Sequence, residues 1–187
     1  MTASLIVAVV VVALIAYGIA LYNRLVRSRQ MAAEGWSGID VQLKRRSDLI
    51  PNLVEAVKGY AGHEQATLRE VTGLRNQARA MSPDDIAGRA QVEGLLSGAI
   101  GRLLAVVENY PDLKASQNFL QLQSELSGIE NEIQMARRYY NGATRELNVM
   151  VESFPSNLVA GMFGFSKGAF FETDDASRAV PEVSFQR

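Results

Sequence analysis

This 187-residue sequence contains no cysteine and only one histidine, His63. Without cysteine the chain has no disulfide, no thiolate nucleophile, no cysteine-based zinc site and no thiol for lipoprotein-type acylation. His63-Glu64 resembles the start of a zinc-protease motif, but the second histidine of that motif would stand where Thr67 does. One histidine cannot supply a metal's ligand set, so we expect no metal and no cofactor.

An excess of charge is also missing, since 19 basic residues face 20 acidic ones and the net charge is −1. This balance provides no electrostatic footprint for nucleic acid, which we exclude as a partner. The sequence contains no GxSxG motif, no P-loop and no dinucleotide fingerprint. We therefore expect a protein that is not an enzyme.

A long uncharged apolar run extends from Leu5 to Tyr22. As a helix, it would be roughly 27 Å long, close to the ~30 Å hydrocarbon core of a bilayer. Tyr17 and Tyr22 near its end suit the membrane interface. A cleaved signal peptide is the alternative, but it would need a basic region before the run. We predict that residues 1–22 form an uncleaved transmembrane anchor.

Three basic residues, Arg24, Arg27 and Arg29, follow this run before any acidic residue. The positive-inside rule therefore places the bulk of the chain in the cytoplasm of a bacterial-type cell. The expected location is the inner membrane, crossed once, with membrane lipid as a partner.

A coiled-coil-like seam of alternating three- and four-residue steps extends from Trp36 to Ala78. Its phase does not change at Pro51. The pattern predicts one helix over residues 23–80, kinked near Pro51 because proline removes a backbone hydrogen bond. A true break, with Pro51 in the first turn of a new helix, is the alternative.

Two charged residues, Arg46 and Glu64, interrupt this seam. They would lie roughly 27 Å apart along one helix, so they cannot pair with each other. An internal polar site is one interpretation. We favour a buried ion pair that sets the helix register.

Two further helices are predicted. Ser82 is the candidate N-cap of one that extends to about Asn109. The other has apolar residues spaced three and four apart from Phe119 to Phe154, before Pro155. These patterns predict an all-α protein in which a transmembrane helix precedes an elongated antiparallel helical bundle. The bundle would occupy residues 23–172, followed by an extended tail at 173–187.

Four segments carry a resemblance to a known family: RRSDLIPNLVEAVKGYAGHE, NYPDLKASQNFLQLQSELSGIENEI, ARRYYNGATRELN and SFPSNLVAGMFGFSKGAFFE. Occurring in this order, they resemble the LemA family over nearly the whole chain. The resemblance implies an N-terminally anchored bacterial membrane protein with a helical-bundle domain and no assigned enzymatic activity. Magnetosome-membrane relatives point to roles in membrane organisation.

The ARRYYN segment combines two arginines with two tyrosines. A lipid-headgroup site formed by charge and cation–π contact is one interpretation. Because Tyr140 falls on the apolar seam, we favour a core position for it and a solvated face for Arg137, Arg138 and Tyr139.

The phenylalanine- and glycine-rich segment 154–171 has three interpretations: a cap on the bundle, a subunit contact or an interfacial membrane element. A first helix rising about 87 Å from the membrane, a second returning about 40 Å and a third rising about 58 Å would place Phe154 far from its own membrane. A kink at Pro51 that tips the first helix over is the alternative. The candidate subunit-contact residues are Phe163, Phe165, Phe170, Phe171 and, in the tail, Phe185.

The function that the sequence favours is structural. We expect a membrane-anchored scaffold that forms homo-oligomers and organises the membrane or its proteins. The alternative is an adaptor or regulator of a membrane-bound partner such as a protease.

Overall fold

The structure is a computed structural model that describes residues 2–60 and 64–172. All regular elements in these two ranges are helices, which confirms the predicted all-α fold with helical-bundle packing. They are α1 (Thr2–Lys58), α2 (Gln65–Ala80), α3 (Ile86–Val107), α4 (Pro111–Lys114), α5 (Gln117–Glu152) and α6 (Ser156–Met162).

Helix α1 continues through Pro51, as one of the two interpretations predicted. The alternative of a break at Pro51 is wrong, and so is the extension of this helix to residue 80. The chain turns at Gly59 and Tyr60, where the Tyr60 amide donates to the Val57 carbonyl at 3.0 Å. Glycine makes helix continuation costly at this point. The three-four spacing did not reveal the turn because α2 resumes it in the same phase.

Helix α3 begins three residues later than the predicted Ser82 N-cap implies. Asp85 is the N-cap, and its side chain accepts a hydrogen bond from the Gly88 amide at 2.9 Å. The Ser82 hydroxyl accepts instead from the Asp84 amide, before the helix starts. A carboxylate caps the exposed N–H groups and complements the helix dipole, so Asp85 takes the role assigned to Ser82.

The apolar seam predicted for the third helix faces inward along α5. Its positions from Phe119 to Met150 are buried or half-buried. Phe154 is the exception, with 80 % of its surface exposed. Helix α5 ends at Glu152, so Phe154 lies beyond the periodicity that would have placed it on the buried face.

The chain divides into two compact units. Among the described residues, the first contains 2–44 and 128–170, and the second contains 45–60, 64–127 and 171–172. The sequence predicted a single bundle domain from 23 to 172. The backbone of α1 crosses the boundary between units at residues 44 and 45, and that of α5 crosses it at residues 127 and 128.

In the first unit, α1 packs antiparallel to α5. The Ser28 hydroxyl meets the Met150 sulfur at 3.4 Å, and the Trp36 ring lies 5.8 Å from the Tyr140 ring. Moving forward along α1 therefore means moving backward along α5. A side chain at Gly35 would come within 3.0 Å of the Tyr140 backbone, so this close approach requires glycine.

The second unit has an apolar core formed by the end of α1 and by α2, α3, α4 and the beginning of α5. Its buried members are Ile50, Leu53, Val57, Leu68, Val71, Leu96, Ala99, Ile100, Leu103, Val107, Leu113, Phe119 and Leu126. Arg75 of α2 donates to the Ser47 carbonyl of α1 at 2.7 Å. Leu95 of α3 is exposed and lies outside this core.

Candidate functional site

The N-terminal part of α1 presents its apolar side chains to the surroundings. Leu5 is 67 % exposed and Tyr17 is 52 % exposed. Two described helices, α1 and α3, are long and apolar enough to cross a membrane. The apolar window of α3 is 44 % buried, as in the core helix of a folded unit, whereas that of α1 is only 6 % buried. The N-terminal helix is thus compatible with a membrane location.

The turns of α1 that follow the apolar run have two different faces. Arg24, Arg27 and Arg29 are exposed, whereas Leu25 and Ser28 are buried inside the first unit. The basic side chains therefore lie at exposed positions of α1, in the turns where this helix begins to pack against α5 and α6.

Tyr22, the last residue of the apolar run, contacts the segment after α6. Its ring lies 4.8 Å from the Phe163 ring and 5.8 Å from the Phe165 ring, in edge-on arrangements. The Arg29 guanidinium lies 4.9 Å above the Phe165 ring, within cation–π range. The C-terminal part of the first unit thus returns to the end of the apolar run.

This return changes the expectation for the phenylalanine-rich segment. Phe165 and Phe171 are buried and Phe170 is half-buried, so these side chains belong to the fold of the chain. Phe163 is exposed, and Phe185 lies outside the described residues. The straight-helix geometry that separated Phe154 from the apolar run does not hold, because α1 ends at Lys58 and α5 runs antiparallel to α1.

Helix α6 ends in a Schellman motif, after which the chain turns toward Tyr22. Gly164 has a φ of +69°, a conformation that glycine adopts without steric cost. The Phe165 amide donates to the Ala160 carbonyl at 2.9 Å. Phe165 and Ala160 then pack with Leu25, Leu147 and Met150 in one apolar cluster.

We call residues 163–170 the strap, because side chains of α5 hold its backbone. The Asn148 amide nitrogen donates to the Gly168 carbonyl at 3.0 Å, and its oxygen accepts from the Gly168 amide at 2.8 Å. The Tyr140 hydroxyl donates to the Ala169 carbonyl at 2.6 Å. Burial raises the pKa of Tyr140, partly offset by the neighbouring Thr144 side chain. A tyrosine phenol is protonated at neutral pH, so its hydroxyl acts as the donor here.

Replacing Asn148 by alanine should loosen the strap. The variant loses both hydrogen bonds to Gly168, and we expect the free energy of unfolding to fall by about 1–3 kcal/mol. Amide hydrogen exchange of residues 164–170 should accelerate, as measured by mass spectrometry. Asn157→Ala, at an exposed position on α6, is the control. Unchanged hydrogen exchange of the strap in Asn148→Ala would mean that Asn148 does not hold the strap in place.

The outer face of α6 is an apolar surface. Leu158 and Met162 lie one turn apart on α6 and are 59 % and 79 % exposed, and Phe154, in the turn just before α6, is 80 % exposed. Phe163, 59 % exposed, continues this surface to Tyr22. The opposite side of α6 is buried through Ser156 and Ala160. We call these four exposed residues the α6 face.

Arg46 is buried in the second unit and pairs with Glu93 of α3. One guanidinium nitrogen lies 2.5 Å from the Glu93 carboxylate and also donates to the Glu93 carbonyl at 3.2 Å. The other terminal nitrogen donates to the Ser97 hydroxyl at 2.5 Å. The interpretation of Arg46 as half of a buried ion pair fits this geometry. Its role in helix register stays a prediction.

Glu93 and Asn148 were not singled out by the sequence reasoning. Glu93 could have been found, because it lies seven residues before Ile100 on the apolar face of α3, where an acidic residue needs a partner. Asn148 carried no comparable signal, since its partner is a backbone group twenty residues away.

The other candidates are dispersed. Glu64, half-buried, is the N-cap residue of α2, without a side-chain capping bond. Tyr140 is a core residue as expected, whereas Tyr139 is exposed. His63 lies outside the described residues. Within the described ranges, no group of three acidic, histidine or cysteine residues is arranged to hold a metal ion.

A groove of about 700 Å³ lies between α1 and α2 in the second unit, open to solvent on one side. Its lining includes Val54, Leu68, Lys58 and Arg69, a mixture of apolar and charged side chains. The described residues that line the groove form no constellation of nucleophile, base and orienting group.

These features define an all-helical protein whose N-terminal helix is compatible with a membrane location. The chain belongs to the LemA family, whose model matches residues 35–185. It is 28 % identical to Protein LemA of Metamycoplasma hominis over 162 residues, covering 87 % of this chain and 74 % of the relative. It is 26 % identical to Magnetosome protein MamQ 2 of Paramagnetospirillum magneticum over 190 residues, covering 89 % and 70 %. Neither name denotes an enzyme.

Proposed function

We propose that this protein is a non-enzymatic, membrane-anchored scaffold that assembles with itself and organises the membrane or its proteins. The apolar run at residues 5–22 crosses the bacterial inner membrane once, and residues 23–187 lie in the cytoplasm. The observation that carries the proposal is the exposed apolar part of α1, which continues without a break into a helix packed by folded partners.

Several features support this proposal. The exposed arginines after the apolar run suit the cytoplasmic side of a membrane. Because α1 is one continuous helix, no flexible linker separates the membrane span from the part of α1 that packs in the fold. The similarity to a magnetosome protein suits a role at a membrane, and the family resemblance suggests no catalysis.

Self-assembly is the part of the proposal that concerns function most directly. Confinement to a membrane raises the effective concentration of the subunits, so weak contacts can hold an assembly together. Phe165 and Phe171 are buried within the chain, and their part in a subunit contact stays a prediction. An adaptor that acts alone on a membrane-bound partner is the alternative, and the groove between α1 and α2 would suit such a partner.

Charged residues in the span should release the protein from the membrane. In the full chain, Val10→Lys combined with Leu14→Lys places two charges near mid-bilayer, each costing about 2.5–3.5 kcal/mol on an insertion scale. Both positions are exposed, so the fold should survive. We expect wild type in the membrane fraction after an alkaline wash and the double variant in the soluble fraction. Val10→Leu with Leu14→Ile is the control and should stay with the membrane.

Two further measurements test orientation and assembly. A C-terminal reporter that works only in the cytoplasm should be active, and one that works only outside the cytoplasm should be inactive. Light scattering in mild detergent should give a mass of several subunits. A wild-type chain that washes off the membrane would contradict the anchor. A monomer would contradict the scaffold and favour the adaptor.

A further inference from the structure

We propose that the α6 face is a second membrane contact, embedded in the headgroup region of the same bilayer that the N-terminal span crosses. This inference rests on the proposed function, because it requires the apolar run of α1 to lie in a bilayer. The occupant of the face is lipid, and the contact is made by Phe154, Leu158, Met162 and Phe163.

The position of α6 relative to the span supports this contact. The apolar run ends at Tyr22, whose ring touches Phe163. The buried side of α6 packs against Leu25, which lies only about 5 Å further along α1. The headgroup layer of a bilayer is roughly 5–8 Å thick on each side. A short helix packed at this level of α1 therefore lies within reach of the layer.

The chemistry of the face supports lipid as its occupant. Four large apolar side chains within ten residues are more than half exposed, while the polar Ser156 is buried on the opposite side. In water this arrangement is costly. Through Tyr22 the face is continuous with the exposed apolar surface of the span, so one apolar environment can cover both.

The charges around the face fit an anionic bilayer surface. Arg24, Arg27 and Arg29 are exposed on the adjoining turns of α1. The neighbouring Glu152 is paired with Lys167 at 2.7 Å, which offsets its repulsion from anionic headgroups. Apolar side chains bordered by basic ones are typical of helices that lie in the membrane interface.

The absence of cysteine allows a test with single labels on the full chain. Met162→Cys carries a fluorophore on the α6 face, and Met135→Cys carries the same fluorophore at an exposed position on α5. Met135 lies about 22 Å along α5 from Met150, in the direction away from Tyr22. Each labelled chain is reconstituted into vesicles of phosphatidylcholine and phosphatidylglycerol. A lipid-borne nitroxide near the headgroups and aqueous iodide then serve as quenchers.

We expect the nitroxide to quench the label at position 162 several-fold more than the label at position 135, and iodide to show the opposite order. Equal quenching by iodide at both positions would place the face in water and overturn the inference while the anchor stands. Protection of position 162 from both quenchers would mean that protein, such as a second copy, covers the face. A chain that fails to float with the vesicles would overturn both the anchor and this contact.

Discussion

Replacing Arg46 by alanine should lower the free energy of unfolding by about 3–5 kcal/mol. The substitution removes one member of a buried ion pair and leaves the Glu93 carboxylate without its cation in an environment that solvates it poorly. The Ser97 hydroxyl and the Glu93 carbonyl lose a donor as well. Denaturant unfolding of the full chain in mild detergent, followed by helical circular dichroism, measures the loss.

Two variants separate the buried pair from charge effects in general. Arg102→Ala breaks the ion pair with Glu70, in which both side chains are largely exposed, and should cost about 0–1 kcal/mol. Arg46→Met combined with Glu93→Leu removes both buried charges and should recover most of the stability that Arg46→Ala loses. Equal costs for Arg46→Ala and Arg102→Ala would mean that the buried pair does not stabilise the second unit.

Truncation of Ile129 or Ile133 to alanine should cost about 2–5 kcal/mol for each substitution. Both side chains lie on the buried face of α5 in the first unit, about 5 % exposed or less. Shortening them removes apolar surface from the core and leaves a cavity that the neighbouring helices fill only in part. Alanine is also the strongest helix former, so the cost measures packing and not helix propensity.

Asn131→Ala is the matched control, because residue 131 lies on the same two turns of α5 with its side chain exposed. We expect a change within about 0.5 kcal/mol in the same unfolding measurement. If all three variants lost similar stability, the seam of α5 would not be the packed face of the first unit.

The candidate site was only partly predictable from the sequence. The membrane span and its basic flank can be predicted from the order of residues along the chain, because the hydrophobic effect and the positive-inside rule both act on contiguous residues. Phe154, Leu158 and Met162 were visible as apolar residues, but not as one exposed face. Which side of α6 is covered depends on Leu25 and Leu147, which lie far from α6 in sequence.

The partner of Arg46 shows the same limit in the second unit. The seam identified Arg46 as a charge in a buried position, and a buried cation requires an anion nearby. Helical periodicity records which face of a helix is apolar, but not which helix faces it. Only the packing of α1 against α3 selects Glu93, forty-seven residues away, as that anion.

The sequence by itself determined the all-α class, the apolar N-terminal run and the packed face of α5, because these follow from composition and from the period of the helix. It did not determine where α1 ends, since the three-four spacing continues in phase through the turn at Gly59. The tertiary structure decided the pair of hydrogen bonds between Asn148 and Gly168 and the return of Phe163 to Tyr22. These depend on contacts between residues distant in the chain, whose free energies no local pattern encodes.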